Sequence, residues 1–73
     1  MAEITVASEL NAIVWKIECV AGAAVNAGDT LIVLEAMKME IPVAAPRAGT
    51  VKAVLVEERQ QVAEGQALVV LQF

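Results

Sequence analysis

The sequence predicts an all-β domain, a small sandwich or flattened barrel assembled from two related halves. Three observations carry that expectation. Sliding the chain along itself by 37 positions superposes Ile4 on Ile41, Val6 on Val43, Val14 on Val51, Val25 on Val62, Gly28 on Gly65, Leu31 on Leu68 and Leu34 on Leu71. The apolar residues are mostly Ala and Val, with one Phe, one Trp and no Tyr, which suits thin, closely layered sheet. No stretch carries a helical period: the Ala-rich run 19–27 lacks an amphipathic face and is punctuated by Gly22 and Gly28.

The elements follow from short apolar runs bounded by turn residues. In the first half these runs are residues 4–7, 13–20 and 31–35; in the second they are 41–44, 50–56 and 68–71. The third run of each half follows the same unit, V-x-x-G-x-x-L, as Val25 to Leu31 and again as Val62 to Leu68. One domain, 1–73, with an internal repeat 1–36/38–73, is the expected organisation for a chain of 73 residues. Because the shift maps Met1 onto Lys38 and Ala36 onto Phe73, the chain ends are expected opposite the segment 36–39.

That segment breaks the local rules. Leu34-Glu35-Ala36-Met37-Lys38-Met39-Glu40-Ile41 joins two strands without the Gly, Asn, Asp or Pro that tight turns recruit. A two-residue hairpin centred on Met37 and Lys38 needs positive φ at both, which costs about 1 kcal/mol or more for each residue with a Cβ. The same register sets Leu34 against Ile41, Ala36 against Met39, and Glu35 against Glu40, two like charges facing each other. Strain and repulsion of this kind are typical of functional sites. The plainer alternative puts Met37 and Met39 in the core and leaves Lys38 an ordinary solvated lysine.

Composition excludes several functions. There is no His and only one Ser (Ser8), one Asp (Asp29) and one Cys (Cys19), so no hydrolytic triad, Cys/His pair or zinc site can be assembled. No catalytic residue and no metal ligand is therefore assigned, and a binding, carrier or adaptor role is favoured over an enzymatic one for a chain this small. Nine acidic residues against five basic ones, with two aromatics, argue against nucleic acid and against anionic membrane as partners. Charges interrupt every apolar stretch before it reaches the ~20 residues of a membrane helix. Cys19, among apolar neighbours, reads as a buried inert thiol, and a single unpaired Cys suits a cytoplasmic location. Glu57, Glu58 and Arg59 are weak docking candidates whose simpler reading is a solvated turn.

Glu35-Ala36-Met37-Lys38-Met39-Glu40 resembles the attachment motif of the biotin carboxyl carrier domains, relatives of the lipoyl domains, residue for residue. The resemblance covers nearly the whole chain and includes Val25 to Leu31 and the A-P-x-x-G-x-V unit at Ala45 to Val51. It departs at Ser8 to Ala12, where the family often has A-P-M-P-G, and at Glu57 to Val62, where a turn built on G-D is commoner. The run 11–24 leaves no room for the inserted thumb of some acetyl-CoA carboxylase carriers, so the chain looks like the single-domain attachment proteins. The resemblance implies a barrel-sandwich hybrid fold and biotin in amide linkage on Lys38, attached by a biotin protein ligase that reads Glu35, Ala36, Met37, Met39 and Glu40. It further implies that carboxybiotin moves from a biotin carboxylase to a carboxyltransferase of a biotin-dependent carboxylase. A lipoyl carrier and an unmodified adaptor module are the alternatives; Met37 and Met39 beside the lysine disfavour lipoate.

Overall fold

A computed structural model describes residues 2–73. The chain forms eight strands: β1 (Glu3–Ala7), β2 (Ala12–Ile17), β3 (Ala24–Val25), β4 (Thr30–Ala36), β5 (Met39–Ala44), β6 (Gly49–Val54), β7 (Gln61–Val62) and β8 (Ala67–Gln72). They make two antiparallel four-stranded sheets, ordered β1-β8-β6-β3 and β5-β4-β2-β7. Adding 37 to the first-half strands gives the second-half strands to within one residue at either end, and the same exchange carries the first sheet order onto the second. Among the described residues no helix is long and apolar enough to cross a membrane.

The core is paired in the same way. Val14 and Val51, Leu31 and Leu68, Ile32 and Val69, and Leu34 and Leu71 are all essentially inaccessible, each pair 37 residues apart. Strand alternation points one face of each sheet inward, so two thin layers of Val, Leu and Ile close on each other with no aromatic between them. Cys19 joins this core at 7% exposure. Its thiol is pushed above the ordinary cysteine range by desolvation, partly offset by a backbone hydrogen bond.

The structure trims two expected strands and adds two. The runs expected at 13–20 and 50–56 end at Ile17 and Val54, after which Glu18 N–H donates to the Leu31 carbonyl and Leu55 N–H to the Leu68 carbonyl, at 2.9 and 2.8 Å. From there the chain turns at Gly22 (φ +91°) in the first half and at Arg59 (φ +74°) in the second. Gly22 N–H donates to the Val51 carbonyl at 2.7 Å, and Arg59 N–H to the Val14 carbonyl at 2.6 Å. These turns launch β3 and β7, two-residue strands too short to show a period. Arg59 thus occupies a left-handed position where the first half has glycine.

The departure at Ser8 is also explained locally. Ser8 is buried, and its hydroxyl donates to the Leu10 carbonyl at 2.6 Å, so a side-chain turn replaces the proline-built one. At the chain ends, Ala2 and Phe73 exchange backbone hydrogen bonds of 3.0 and 2.9 Å. Shifted by 37, this pair is Met39 and Ala36, the pair that closes the β4–β5 hairpin. The operation that exchanges the halves therefore exchanges the chain ends with the hairpin tip, each a pole of the duplicated body.

Candidate functional site

The β4–β5 hairpin is anchored from within. Leu34 is fully buried and pairs with half-buried Ile41, which fixes the inward face of both strands. Beyond that pair the ladder runs Glu35↔Glu40 and Ala36↔Met39, the register expected from the sequence. Alternation then sends Glu35 and Glu40 to the outer face of the sheet, side by side in solvent.

Met37 and Lys38 form the two-residue turn with φ +52° and +64°, both left-handed, as a type I′ hairpin demands. A turn of this hand matches the right-handed twist of the strands, so the ladder continues unbroken to Ala36 and Met39. The side chains that would join a core if the plainer alternative held are instead displayed: Met37 is 94% and Met39 63% exposed. Lys38 is exposed between them.

The other two lysines are placed differently. Lys16 lies on β2 with Nζ 3.5 Å from Glu18 Oε1, and Lys52 lies on β6 in an ion pair with Glu3. Among the described residues Lys38 is in no ion pair. A convex tip cannot exclude water or surround a reacting atom, which catalysis by preorganised dipoles requires. What it offers is a primary amine on a flexible stem, held clear of the protein by a rigid ladder and free to enter a cavity on another protein. The fit to a covalently attached group is therefore good.

The segment of the weak docking candidates forms the turn before β7. Glu58 Oε2 accepts from Ile17 N–H at 3.2 Å, and Glu57 N–H donates to Gln60 Oε1 at 3.0 Å, so both carboxyl-bearing residues belong to the Arg59 turn. Two features near the hairpin went unread in the sequence. Trp15 is the extra residue of a β-bulge, since pairing of β2 with β4 jumps between Val14 and Lys16. Arg59 has positive φ. For Arg59 the 37-residue shift carries a signal, since it aligns with Gly22; the bulge at Trp15 lies in the pairing of β2 with β4 and has no signal in the sequence.

Comparison with known proteins agrees with this geometry. The Biotin_lipoyl family, described as "Biotin-requiring enzyme", matches residues 2–71. The chain is 40% identical over 68 residues to the Biotin/lipoyl attachment protein of Bacillus subtilis (strain 168), covering 93% of both. It is 41% identical over 63 residues to the pyruvate carboxylase of the same organism, covering 86% of this chain but 6% of that enzyme. Among solved structures, the Kluyveromyces lactis urea carboxylase superposes with a TM-score of 0.92 at 32% identity, over 99% of this chain and 6% of that one. A duplicated two-sheet body, a two-residue hairpin displaying a lysine, and a family match from one end of the chain nearly to the other lead to one conclusion: the chain belongs to the biotin/lipoyl attachment domain family.

Proposed function

We propose that Lys38 is the residue to which biotin is joined, and that the domain is a non-catalytic carrier between a biotin carboxylase and a carboxyltransferase. The observation that carries this reading is the exposed lysine at the left-handed tip of a hairpin whose sequence is E-A-M-K-M-E. The carboxylases among its relatives support the choice of biotin over lipoate.

Attachment requires the Lys38 amine to lose a proton and attack the activated carboxyl carbon of biotin. The amide bond forms as the activating group leaves with its electron pair. A lysine ammonium does not attack at neutral pH, so a biotin protein ligase supplies orientation and proton removal. When bound, biotin supplies a ring nitrogen that accepts and releases a carboxyl group. The chain's own part is reach: the β4–β5 ladder holds the stem away from the body, and tethering raises the local concentration of the arm at each partner. A cytoplasmic setting is in keeping with the free, buried Cys19.

The test is the mass of the chain after incubation with a biotin protein ligase, ATP and biotin, followed by peptide mapping. One biotin on Lys38 and none in Lys38→Arg is the expected result. Label on Lys16 or Lys52 in that variant, or a lipoyl mass on protein from cells, would overturn the reading.

A further inference from the structure

The two halves share a backbone but not their side chains, and the difference matters at one pole. At the pole of the chain ends, Glu3, Gln72 and Lys52 form a closed set: Lys52 Nζ is ion-paired with Glu3 Oε2, and Gln72 Nε2 donates to the same oxygen at 3.4 Å. Shifted by 37 residues, these positions are Glu40, Glu35 and Trp15 at the hairpin pole. There the amide is replaced by a second carboxylate and the cation by an indole.

The backbone treats the two positions alike. Lys52 and Trp15 are the extra residues of matching bulges, in β6 against β8 and in β2 against β4, and a bulge re-aims its side chain. Trp15 is 49% exposed and Ile13 beside it 41%. Glu40, Glu35 and Ile13 lie in one row across β5, β4 and β2. Ile13, Trp15, Glu35, Glu58 and Arg59 line a single depression of about 340 Å³. Arg59 shares the depression but leaves the two carboxylates without a direct partner: among the described residues neither Glu35, Glu40 nor Arg59 is in an ion pair. The result is a half-exposed aromatic and aliphatic face flanked by two facing carboxylates, where the opposite pole has a satisfied network.

We infer that this face docks the ligase that modifies Lys38, by receiving one of its arginine or lysine side chains over the Trp15 ring and beside Glu35 and Glu40. The inference rests on the reading of Lys38 as the biotin site. A cation is the one group that both carboxylates lack and that an indole face also attracts. The ligase is favoured over the carboxylase components by reach. Amide formation brings Nζ itself into the partner's active site, so the partner must press against the strands next to the tip. Once biotin is attached, the reacting atoms lie at the far end of the arm, and close contact with β2 and β4 is no longer needed.

The test uses the full chain with a purified biotin protein ligase, ATP and biotin, at low and high salt. Trp15→Lys gives Glu40 the partner that Glu3 has; it should fold, by far-UV circular dichroism, yet raise KM for the domain about fivefold with kcat nearly unchanged, the loss expected of one cation–π contact. Trp15→Phe keeps a π face and should recover most of the affinity. High salt should narrow the gap between wild type and Trp15→Lys. Because Trp15 is the sole tryptophan, 5-fluorotryptophan labelling gives one ¹⁹F resonance, which should shift when unlabelled ligase is added. A KM within twofold of wild type, or an unmoved resonance, overturns the inference while biotin on wild-type Lys38 keeps the functional reading intact. An unchanged KM for ligase with poorer carboxylation of the biotinylated variant also overturns it, assigning the face to the carboxylase. Absence of biotin on the wild-type chain instead sinks the functional reading itself.

Discussion

Replacing Met37 by glycine should stabilise the domain, because the turn asks this residue for a conformation that its Cβ resists. At φ +52° a side chain costs about 1–2 kcal/mol relative to glycine. Against that, glycine loses more freedom on folding, which takes back about 0.4–1 kcal/mol. Packing adds little to the balance, since Met37 is 94% exposed and has almost no buried surface to lose. The net gain is about 0.5–1 kcal/mol. For 73 residues the unfolding entropy is about 0.15 kcal/mol/K, so Tm should rise by about 3–6 °C. Differential scanning calorimetry on wild type, Met37→Gly and Met37→Ala makes the comparison. Alanine keeps the Cβ and should bring no gain. An unchanged or lowered Tm for Met37→Gly, or an equal rise for Met37→Ala, would refute the strain argument. If the strain is retained for function, the stabilised variant should also be biotinylated more slowly.

Gly49→Ala should cost about 1–3 kcal/mol by chemical denaturation, because a Cβ there would collide with the Gln72 carbonyl oxygen, which is backbone and cannot step aside. The Glu3 carboxyl is held below the usual carboxylate range, first by the Lys52 hydrogen bond and then by the Gln72 amide. A depressed carboxylate stabilises the fold above its unfolded pKa and loses that contribution as pH falls through the folded value, so wild type should lose Tm more steeply than Glu3→Gln below about pH 4.5. Parallel melting profiles over that range would discount the pair. Cys19, buried and with its thiol raised by desolvation, should react with a disulfide reagent at neutral pH only after denaturant is added. Glu35→Gln and Glu40→Gln should each melt a few tenths of a kcal/mol more stably, since each removes one of two facing like charges, while lowering kcat/KM for biotinylation at low salt. Unchanged kcat/KM at both salts would leave the glutamates out of recognition.

The sequence by itself determined the strand runs, the 37-residue spacing of like residues and the β4–β5 hairpin with its register, because each is a local or periodic property. Leu34 and Ile41 are apolar neighbours of a turn too short for any other pairing, so Glu35 had to meet Glu40 and Ala36 had to meet Met39. Only the tertiary structure decided β3, β7 and the ends of β2 and β6. Two residues carry no period, and those strands exist because Gly22 and Arg59 hand their N–H groups to Val51 and Val14 in the other half of the chain. Only the tertiary structure, too, separated the two poles. Glu3, Lys52 and Gln72 lie far apart in sequence, yet the order β1-β8-β6 gathers them, and the matching order β5-β4-β2 gathers Glu40, Glu35 and Ile13, with Trp15 bulged outward on β2. A bulge moves one side chain by adding one residue against a partner strand. Such a register lives in the pairing of two segments and cannot be read from either alone.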